Sequence, residues 1–405
     1  MRASLALQAG LLIASVVAAE GLLQLASRMS PTVERRLAPP WEVDQSVVPD
    51  ERMVWRGNPL RPDHDRWGYR NPDRPARADV VALGDSQTYG PDDPSRAWPS
   101  VLARRAGLIV YNMALPGYGP GQSLLQLDDA LSLDPKDLVV SVYFGNDLYD
   151  CFVLALRRSE LTADPAAATP ALRAEAEQLE RRQSLRSERI QLFGAGEAGD
   201  PSTGASARSW ASRHVQLYRL ARALRYRLST APAINPMLSR DFARAAAAAA
   251  ADSRHIVYPV EEGGWRTILS GPYRGQAQDA RDPRIRLGFE IMREALARIA
   301  ARARSARARL LVVLIPTKER VFVARVGVVD RYPGLREVVA DETRWRRDLI
   351  ADLLARDIDH LDVLGHLQAA PAQPYYEDVD GHPNEVGHEI IAAAVAERLA
   401  GAGRR

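Results

Sequence analysis

The residues that could act in nucleophilic chemistry begin with a serine that follows a short apolar run. Residues 79–83, Asp-Val-Val-Ala-Leu, lead directly into Gly84, Asp85 and Ser86. Such a run predicts a buried strand, and sites in an open α/β sheet form just beyond the carboxyl ends of its strands. Ser86 is therefore well placed to be a nucleophile with an exposed hydroxyl. The alternative is a serine that only caps the following helix.

A histidine near the C-terminus has the partners that such a serine requires. Asp378, Asp380 and His382 follow one another at two-residue intervals, and Asn384 comes directly before the last predicted helix. A serine hydroxyl needs a base to accept its proton, and that base needs a carboxylate to fix its tautomer. The cluster predicts His382 as the base of Ser86. The alternative is a polar loop in which Asn384 is a helix cap.

Two further strand ends have groups that can donate hydrogen bonds. Gly117 lies in a glycine-rich loop that lets backbone N–H groups approach a ligand closely, and Asn146 lies in a Gly-Asn-Asp sequence. An Asn amide in this position can donate to an oxyanion. An ordinary glycine-rich loop and an ordinary turn explain the same residues.

The elements that must position these residues alternate along the chain. Apolar runs predict strands at residues 79–83, 108–111, 137–144, 310–315 and 359–364, and stretches with helical spacing separate them. Such alternation implies crossover connections and hence a parallel sheet of about five strands. The pattern stops over residues 152–284, which predict a mostly helical insertion. Residues 29–77 are rich in proline and predict an extended linker and lead-in.

In order and spacing, the four motifs that end these strands resemble those of the SGNH/GDSL hydrolase family. They are G-D-S-Q-T-Y-G from Gly84, the Gly117 loop, G-N-D from Gly145, and D-G-H-P-N from Asp380. The resemblance covers residues 78–151 and 285–400. It implies a three-layer α/β/α, flavodoxin-like sandwich that carries the insertion.

The resemblance also implies a role for each motif residue. Ser86 becomes the nucleophile, His382 the base and Asp380 the acid that orients it. The backbone N–H groups of Ser86 and Gly117 and the side chain of Asn146 form the oxyanion hole.

One spacing departs from the pattern of many family members, which have two residues between the Asp and the His. Here Asp380 has one intervening residue and Asp378 has three, so both acids remain candidates. The shorter spacing, like the Ile-Pro-Thr-Lys-Glu segment of residues 315–319, resembles membrane-associated members that act in O-acetylation of polysaccharides. Lys318 in that segment has either a substrate role or a structural one.

The N-terminus predicts a connection to a membrane. Residues 1–28 are almost wholly apolar after Arg2 and are long enough for the ~20 residues that span a bilayer. An uncleaved single-pass anchor and a signal peptide cleaved near Ala19 both fit, and both place the catalytic domain outside the cytoplasm.

Composition excludes other classes of protein. The net charge of +3 disfavours nucleic acid as a partner, and Cys151 is the only cysteine, so neither a disulfide within the chain nor a cysteine-based zinc site can form. The seven histidines are scattered without a metal motif, so we expect neither a metal nor a cofactor. The oligomeric state has no signal in the sequence.

These observations predict a serine esterase that acts on O-acyl, especially O-acetyl, esters of carbohydrate through an acyl-serine intermediate. The insertion leaves the chain directly after Asn146, so we expect it to overhang the pocket. Two alternatives are an O-acetyltransferase for a cell-surface polysaccharide and a non-catalytic scaffold that has kept the fold.

Overall fold

A parallel sheet of five strands forms the centre of the protein. The computed structural model describes residues 2–38, 43–161, 168–184, 214–227, 236–327 and 329–402. The strands follow in the order β4-β3-β5-β8-β9 across the sheet, and all four neighbouring pairs are parallel. They are β3 (Val80–Leu83), β4 (Val110–Asn112), β5 (Asp137–Tyr143), β8 (Arg309–Ile315) and β9 (Asp359–Asp362). The prediction of a five-stranded parallel sheet is confirmed.

The inner strands β3 and β5 and most of β8 are buried, and successive side chains along them point to opposite sides of the sheet. On β5, Leu138, Val140 and Val142 join one hydrophobic core, whereas Val139 and Tyr143 join the other. Strands covered on both sides require continuous apolar sequence, which explains the unbroken apolar runs.

Helices cover both faces and complete the three-layer α/β/α sandwich. The helices, in chain order, are α1 (Arg2–Met29), α2 (Pro31–Leu37), α3 (Ser86–Tyr89), α4 (Trp98–Ala106), α5 (Pro120–Leu125), α6 (Leu127–Leu131), α7 (Asp147–Arg157), α8 (Pro170–Arg182), α9 (Gln216–Arg227), α10 (Phe242–Ala250), α11 (Gly271–Gln276), α12 (Pro283–Ser305), α13 (Lys318–Phe322), α14 (Leu335–Ala355), α15 (Leu364–Gln368) and α16 (Glu385–Ala402). Residues of α7, α12 and α14 pack on one face, and residues of α4, α15 and α16 pack on the other.

The order of the strands fixes where a site can form. The chain runs from β3 to β4 at one edge and then crosses to β5 on the other side of β3. This is the flavodoxin-like order, in which the crossovers diverge at the first strand and open a crevice beyond its carboxyl end. Ser86 follows β3, and Asn146 follows β5.

The lead-in differs from the extended linker predicted over residues 29–77. Residues 47–57 form an antiparallel hairpin of β1 (Val47–Asp50) and β2 (Val54–Gly57), and four polar residues after it are buried, namely Asn58, His64, Asp65 and Arg70. His64 Nε2 lies 2.7 Å from the Tyr89 hydroxyl, and Arg70 donates to the carbonyl of Gly90 at 3.1 Å. The prediction of an extended linker is therefore wrong for this part, because its polar side chains are satisfied by the domain instead of by water.

The insertion predicted as mostly helical over residues 152–284 also contains a hairpin. Strands β6 (Tyr258–Glu262) and β7 (Trp265–Leu269) pair antiparallel across Gly263 and Gly264. Helices α8, α9, α10 and α11 lie in the same region. The segment of residues 194–207, which is rich in Gly, Ser and Ala, lies outside the described residues.

The N-terminal helix α1 is the helix in the described part of the chain that is long and apolar enough to cross a membrane. Leu7–Met29 is 23 residues long and contains a stretch of 18 residues with a mean hydropathy of 1.8. A signal sequence has the same length and composition.

Candidate active site

The turn after β3 presents Ser86 at the carboxyl end of the sheet. Gly84 has a φ of +152°, and a Cβ there would lie 1.9 Å from the Ser141 hydroxyl of β5, so only glycine fits. Asp85 is the N-cap of α3 and accepts a hydrogen bond from the backbone N–H of Gln87 at 2.9 Å. Because the cap is Asp85, the alternative of Ser86 as the capping serine does not hold, and its hydroxyl is available for another partner.

That partner is His382, in the loop before α16. His382 Nε2 lies 2.8 Å from Ser86 Oγ, and Nδ1 hydrogen-bonds Asp380 Oδ1. With the Nδ1 proton donated to Asp380, Nε2 is the acceptor for the serine hydroxyl. Ser86 thus forms one hydrogen-bonded chain with His382 and Asp380, as predicted, although it lies far from them in the sequence.

The electrostatics of the pair suit a base that must gain a proton. Burial acts to raise the pKa of Asp380, but the neighbouring His382 and its hydrogen bonds outweigh burial and hold that pKa well below its ordinary value. Burial acts to lower the pKa of His382, and Asp380 outweighs it, so the pKa of His382 is raised. The imidazolium is therefore stabilised by an acid that stays ionised.

Asp378, the second candidate acid, has a different position. Its carboxylate is buried, accepts a hydrogen bond from the backbone N–H of Asp380 at 2.9 Å and pairs with Arg240 Nη1 at 2.8 Å. Asp378 therefore shapes the loop that holds Asp380, while Asp380 makes the contact with His382. The geometry favours the one-residue spacing.

Two cationic side chains contact the loop of Asp378 and Asp380, and the sequence did not indicate these contacts. Lys318 is buried, and its Nζ donates to the backbone carbonyls of Asp378 at 2.7 Å and Asp380 at 2.8 Å. Burial lowers the pKa of Lys318 to about 8. Of the two roles left open for Lys318, these contacts support the structural one.

Arg240 contacts the same loop from the insertion. It donates to Asp380 Oδ2 at 3.2 Å as well as to Asp378, and its guanidinium lies 3.5 Å from the centre of the Tyr376 ring. No motif marks Arg240, since arginine is frequent throughout this chain. The insertion thus contributes a residue that touches the acid of the site.

The predicted oxyanion donors follow the neighbouring strands. Gly117 has a φ of +73°, and a Cβ there would lie 3.3 Å from the Trp55 ring. Its loop is joined to the Ser86 turn by a hydrogen bond from the Leu115 N–H to the Gly84 carbonyl at 3.1 Å. Within the described ranges, no hydrogen bond from the backbone N–H of Ser86 or Gly117 is found, so both can donate to a bound oxyanion.

Asn146 is held in one orientation by a residue of α7. Its Nδ2 donates to Asp150 Oδ2 at 2.5 Å. The amide nitrogen has a second hydrogen, which stays free for an oxyanion. Asp150 thereby sets which atom of the amide is the donor.

A buried arginine links the strand ends to the histidine loop. Arg274 of α11 donates from Nη1 to the Gly145 carbonyl at 3.0 Å, and its Nε lies 3.8 Å from the Glu319 carboxylate. A Cβ on Gly381 would lie 2.7 Å from Arg274 Nη2. Arg274 therefore packs between the Asn146 turn and the His382 loop, another contact that the sequence did not indicate.

An open pocket of about 620 Å³ lies beside Arg240, which contacts Asp380, and its lining includes neither Ser86 nor His382. Most of its lining residues are polar or charged, among them Asp92, Asp93, Gln373 and Glu385, and two tyrosines, Tyr375 and Tyr376, also line it. A larger depression of about 740 Å³ runs along the outer edge of β9 and includes neither Ser86 nor His382. In the described part of the chain, no group of three His, Cys, Asp or Glu side chains could hold a metal.

Comparison with known proteins finds a family similarity in part of the chain. The sequence profile of the GDSL-like lipase/acylhydrolase family matches residues 82–263. No curated protein matches the chain.

Solved structures similar to this chain include members of the same family. One is a G-D-S-L family lipolytic-type protein from Desulfitobacterium hafniense, with 11% identity, 78% of this chain and 97% of that chain covered, and a TM-score of 0.35. Another is a GDSL-like lipase from Bacteroides thetaiotaomicron, with 11% identity, 80% and 88% covered, and a TM-score of 0.32. Over residues 82–263, just under half of the chain, this sequence is similar to the GDSL-like lipase/acylhydrolase family.

Proposed function

We propose that the protein hydrolyses O-acyl esters with Ser86 as the nucleophile, His382 as the general base and Asp380 as the acid that orients His382. The observation that supports this most is the hydrogen-bonded chain from Ser86 Oγ through His382 to Asp380. Ser86 and His382, which are joined in this chain, lie 296 positions apart in the sequence.

The proposed reaction has two halves. Ser86 Oγ attacks the ester carbonyl carbon while its proton passes to His382 Nε2. The resulting oxyanion accepts hydrogen bonds from the N–H groups of Ser86 and Gly117 and from the Asn146 amide. The intermediate collapses, the alcohol leaves with the proton from His382, and water then attacks the acyl-serine in the same way.

The pocket beside Arg240 supports a hydroxyl-rich alcohol as the part of the substrate next to the acid side of the site. Most of its lining residues carry a carboxylate, amide or guanidinium group, and Arg240 connects it to Asp380. Such groups pair with sugar hydroxyls, whereas a long acyl chain requires an apolar channel. We therefore propose O-acetyl groups of carbohydrate as the substrate, on the outer side of the membrane to which α1 connects the domain.

An acetyl ester and its product analysis test this function. The purified protein is given an activated acetyl ester and an acetylated oligosaccharide, and free acetate is measured. We expect turnover that is lost in Ser86→Ala and retained in Ser95→Ala, a control that changes an exposed serine near the mouth of the site.

The same assay distinguishes the alternatives. Unacetylated oligosaccharides are added to the assay as acceptors. If they gain acetyl groups, the reaction is acetyl transfer and not hydrolysis. If the parent and Ser86→Ala both release acetate at the same rate, close to background, the proposed esterase activity is contradicted. That result would favour a non-catalytic scaffold.

A further inference from the structure

The N-terminal helix α1 changes its surroundings part of the way along its length. Side chains described from Leu7 to Ala18 are exposed on all sides of the helix, including Leu12 at 66% and Val17 at 66%. From Ala19 onward one face is covered, and the covered positions recur at helical spacing. These positions are residues 19, 20, 23, 24, 26, 27 and 30.

Helix α9 of the insertion covers this face through polar contacts. Glu20 Oε1 accepts the backbone N–H of Gln216 at 2.8 Å, and Oε2 accepts that of Leu217 at 2.9 Å. N–H groups in the first turn of a helix have no partner within the helix, so Glu20 supplies one for these two. The helix dipole also favours a negative charge at this end of α9. Gln24 Nε2 donates to the His214 carbonyl at 2.6 Å.

A third contact extends the same stripe by another turn. Gln216 Nε2 lies 3.4 Å from the hydroxyl of Ser27, which is only 6% exposed. Glu20, Gln24 and Ser27 are four and three residues apart and therefore lie on one face of the helix. The polar residues in the second half of α1, Glu20, Gln24 and Ser27, thus have partners within the chain.

We propose that α1 stays in the mature protein, crosses the bilayer with residues 2–18, and uses Glu20, Gln24 and Ser27 outside the bilayer as a docking strip for α9. Seventeen helical residues are about 25 Å long, at the short end of what spans the hydrocarbon core. A carboxylate that binds two backbone N–H groups of a charged, arginine-rich helix is costly within hydrocarbon, so the boundary lies before Glu20. Cleavage after Ala19 would divide α1 and separate residues 2–19 from the docking strip.

Cysteine labelling of the full-length protein in membranes tests the boundary. Val17 and Leu22 have similar exposure, 66% and 69%, so bilayer protection is the main difference expected between them. A membrane-impermeant maleimide applied from the outer side should label Leu22→Cys at least ten times faster than Val17→Cys. Equal rates would contradict the boundary.

Cross-linking tests the docking strip in the same membranes. Ser27→Cys with Gln216→Cys should form a disulfide under mild oxidation, and Leu22→Cys with Gln216→Cys should not, because Leu22 faces away from α9. Gln24→Cys with His214→Cys provides an independent pair if the first is poorly folded. If all three pairs form cross-links at the same rate, or if neither docking pair does, the proposal that α9 docks on this strip is wrong.

Mass spectrometry of the membrane-purified parent tests retention. Peptides from residues before Glu20 are expected. A mature chain that begins at Glu20 or later would overturn the proposal, whatever the esterase activity of the domain.

Discussion

At the scale of single residues, the site separates two aspartates that the sequence left as equal candidates. Asp380 contacts His382, whereas Asp378 is buried, pairs with Arg240 and orients the loop. The spacing alone could not decide between them, because both acids lie in the same short loop. Their contacts differ through Lys318 and Arg240, which come from distant parts of the chain.

Replacement of the two aspartates should therefore have unequal effects. Asp380→Asn keeps the size of the side chain but favours the wrong His382 tautomer, and we expect kcat to fall by about 10⁴-fold, as for the aspartate of serine proteases. Asp378→Asn should lower kcat by less than about 10²-fold, because it leaves the His382 contact in place. Steady-state kinetics of both variants measures the difference. Equal losses would show that Asp380 is not the orienting acid.

The pH profile should report the charge of His382. The base must be neutral to accept the serine proton, so kcat/KM rises with pH through its pKa. Since Asp380 raises that pKa, the acid limb should lie above the ordinary histidine value of about 6.5. In Asp380→Asn the residual activity should show the limb at lower pH, because the interaction that most raises the pKa of His382 against burial is then lost. An unchanged limb would contradict the coupling of the two residues.

At the scale of elements, the loop before α16 must be held in a fixed position relative to the ends of the strands. Lys318 at the start of α13 fixes that loop through two backbone carbonyls. Lys318→Met removes both donors while keeping the length of the side chain. We expect kcat to fall and the free energy of unfolding to decrease by about 1–3 kcal/mol.

The other lysine of the chain provides a matched control. Lys136 is exposed and pairs with Asp79 at the surface, so Lys136→Met should leave kcat unchanged. Kinetics and thermal unfolding measure both variants. If Lys318→Met retains parental kcat and stability, the loop does not depend on this contact.

The packing of α12 on α7 depends on close approach at one glycine. A Cβ on Gly288 would lie 1.7 Å from the backbone oxygen of Leu148, directly after the Asn146 turn. Gly288→Ala should therefore destabilise the fold by about 1–3 kcal/mol, the usual cost of overpacking. Gly365→Ala has nothing within 4 Å and should change stability by less than about 0.5 kcal/mol. Denaturant unfolding compares them, and similar stability of both variants would contradict the close packing.

At the scale of the whole molecule, the sequence predicted the parts that depend on local pattern. The inner strands β3, β5 and β8 are largely apolar runs because both of their faces are covered, so they could be located from the sequence. The hairpin of β6 and β7 escaped prediction because Glu261, Glu262 and Arg266 interrupt its apolar pattern. A hairpin with one exposed face has weaker periodicity than a buried strand.

The contributions of the lead-in and the insertion depend on tertiary contacts instead. Trp55, Arg240 and Arg274 reach the site from segments with no recognisable motif. A proline-rich segment with scattered charges resembles a solvated linker until the domain provides partners for those charges. Such pairings join residues far apart in the sequence, so no local pattern could reveal them.

The central claim is that His382 and Asp380 activate Ser86 as a nucleophile. The most direct measurement is the reaction of the parent, Ser86→Ala and His382→Ala with a fluorophosphonate, followed by mass spectrometry of the labelled peptide. We predict one modification, on Ser86, that is absent in Ser86→Ala and at least a hundred times slower in His382→Ala, because an unassisted serine is a poor nucleophile. Labelling of another residue, or equal rates in the parent and His382→Ala, would contradict the account.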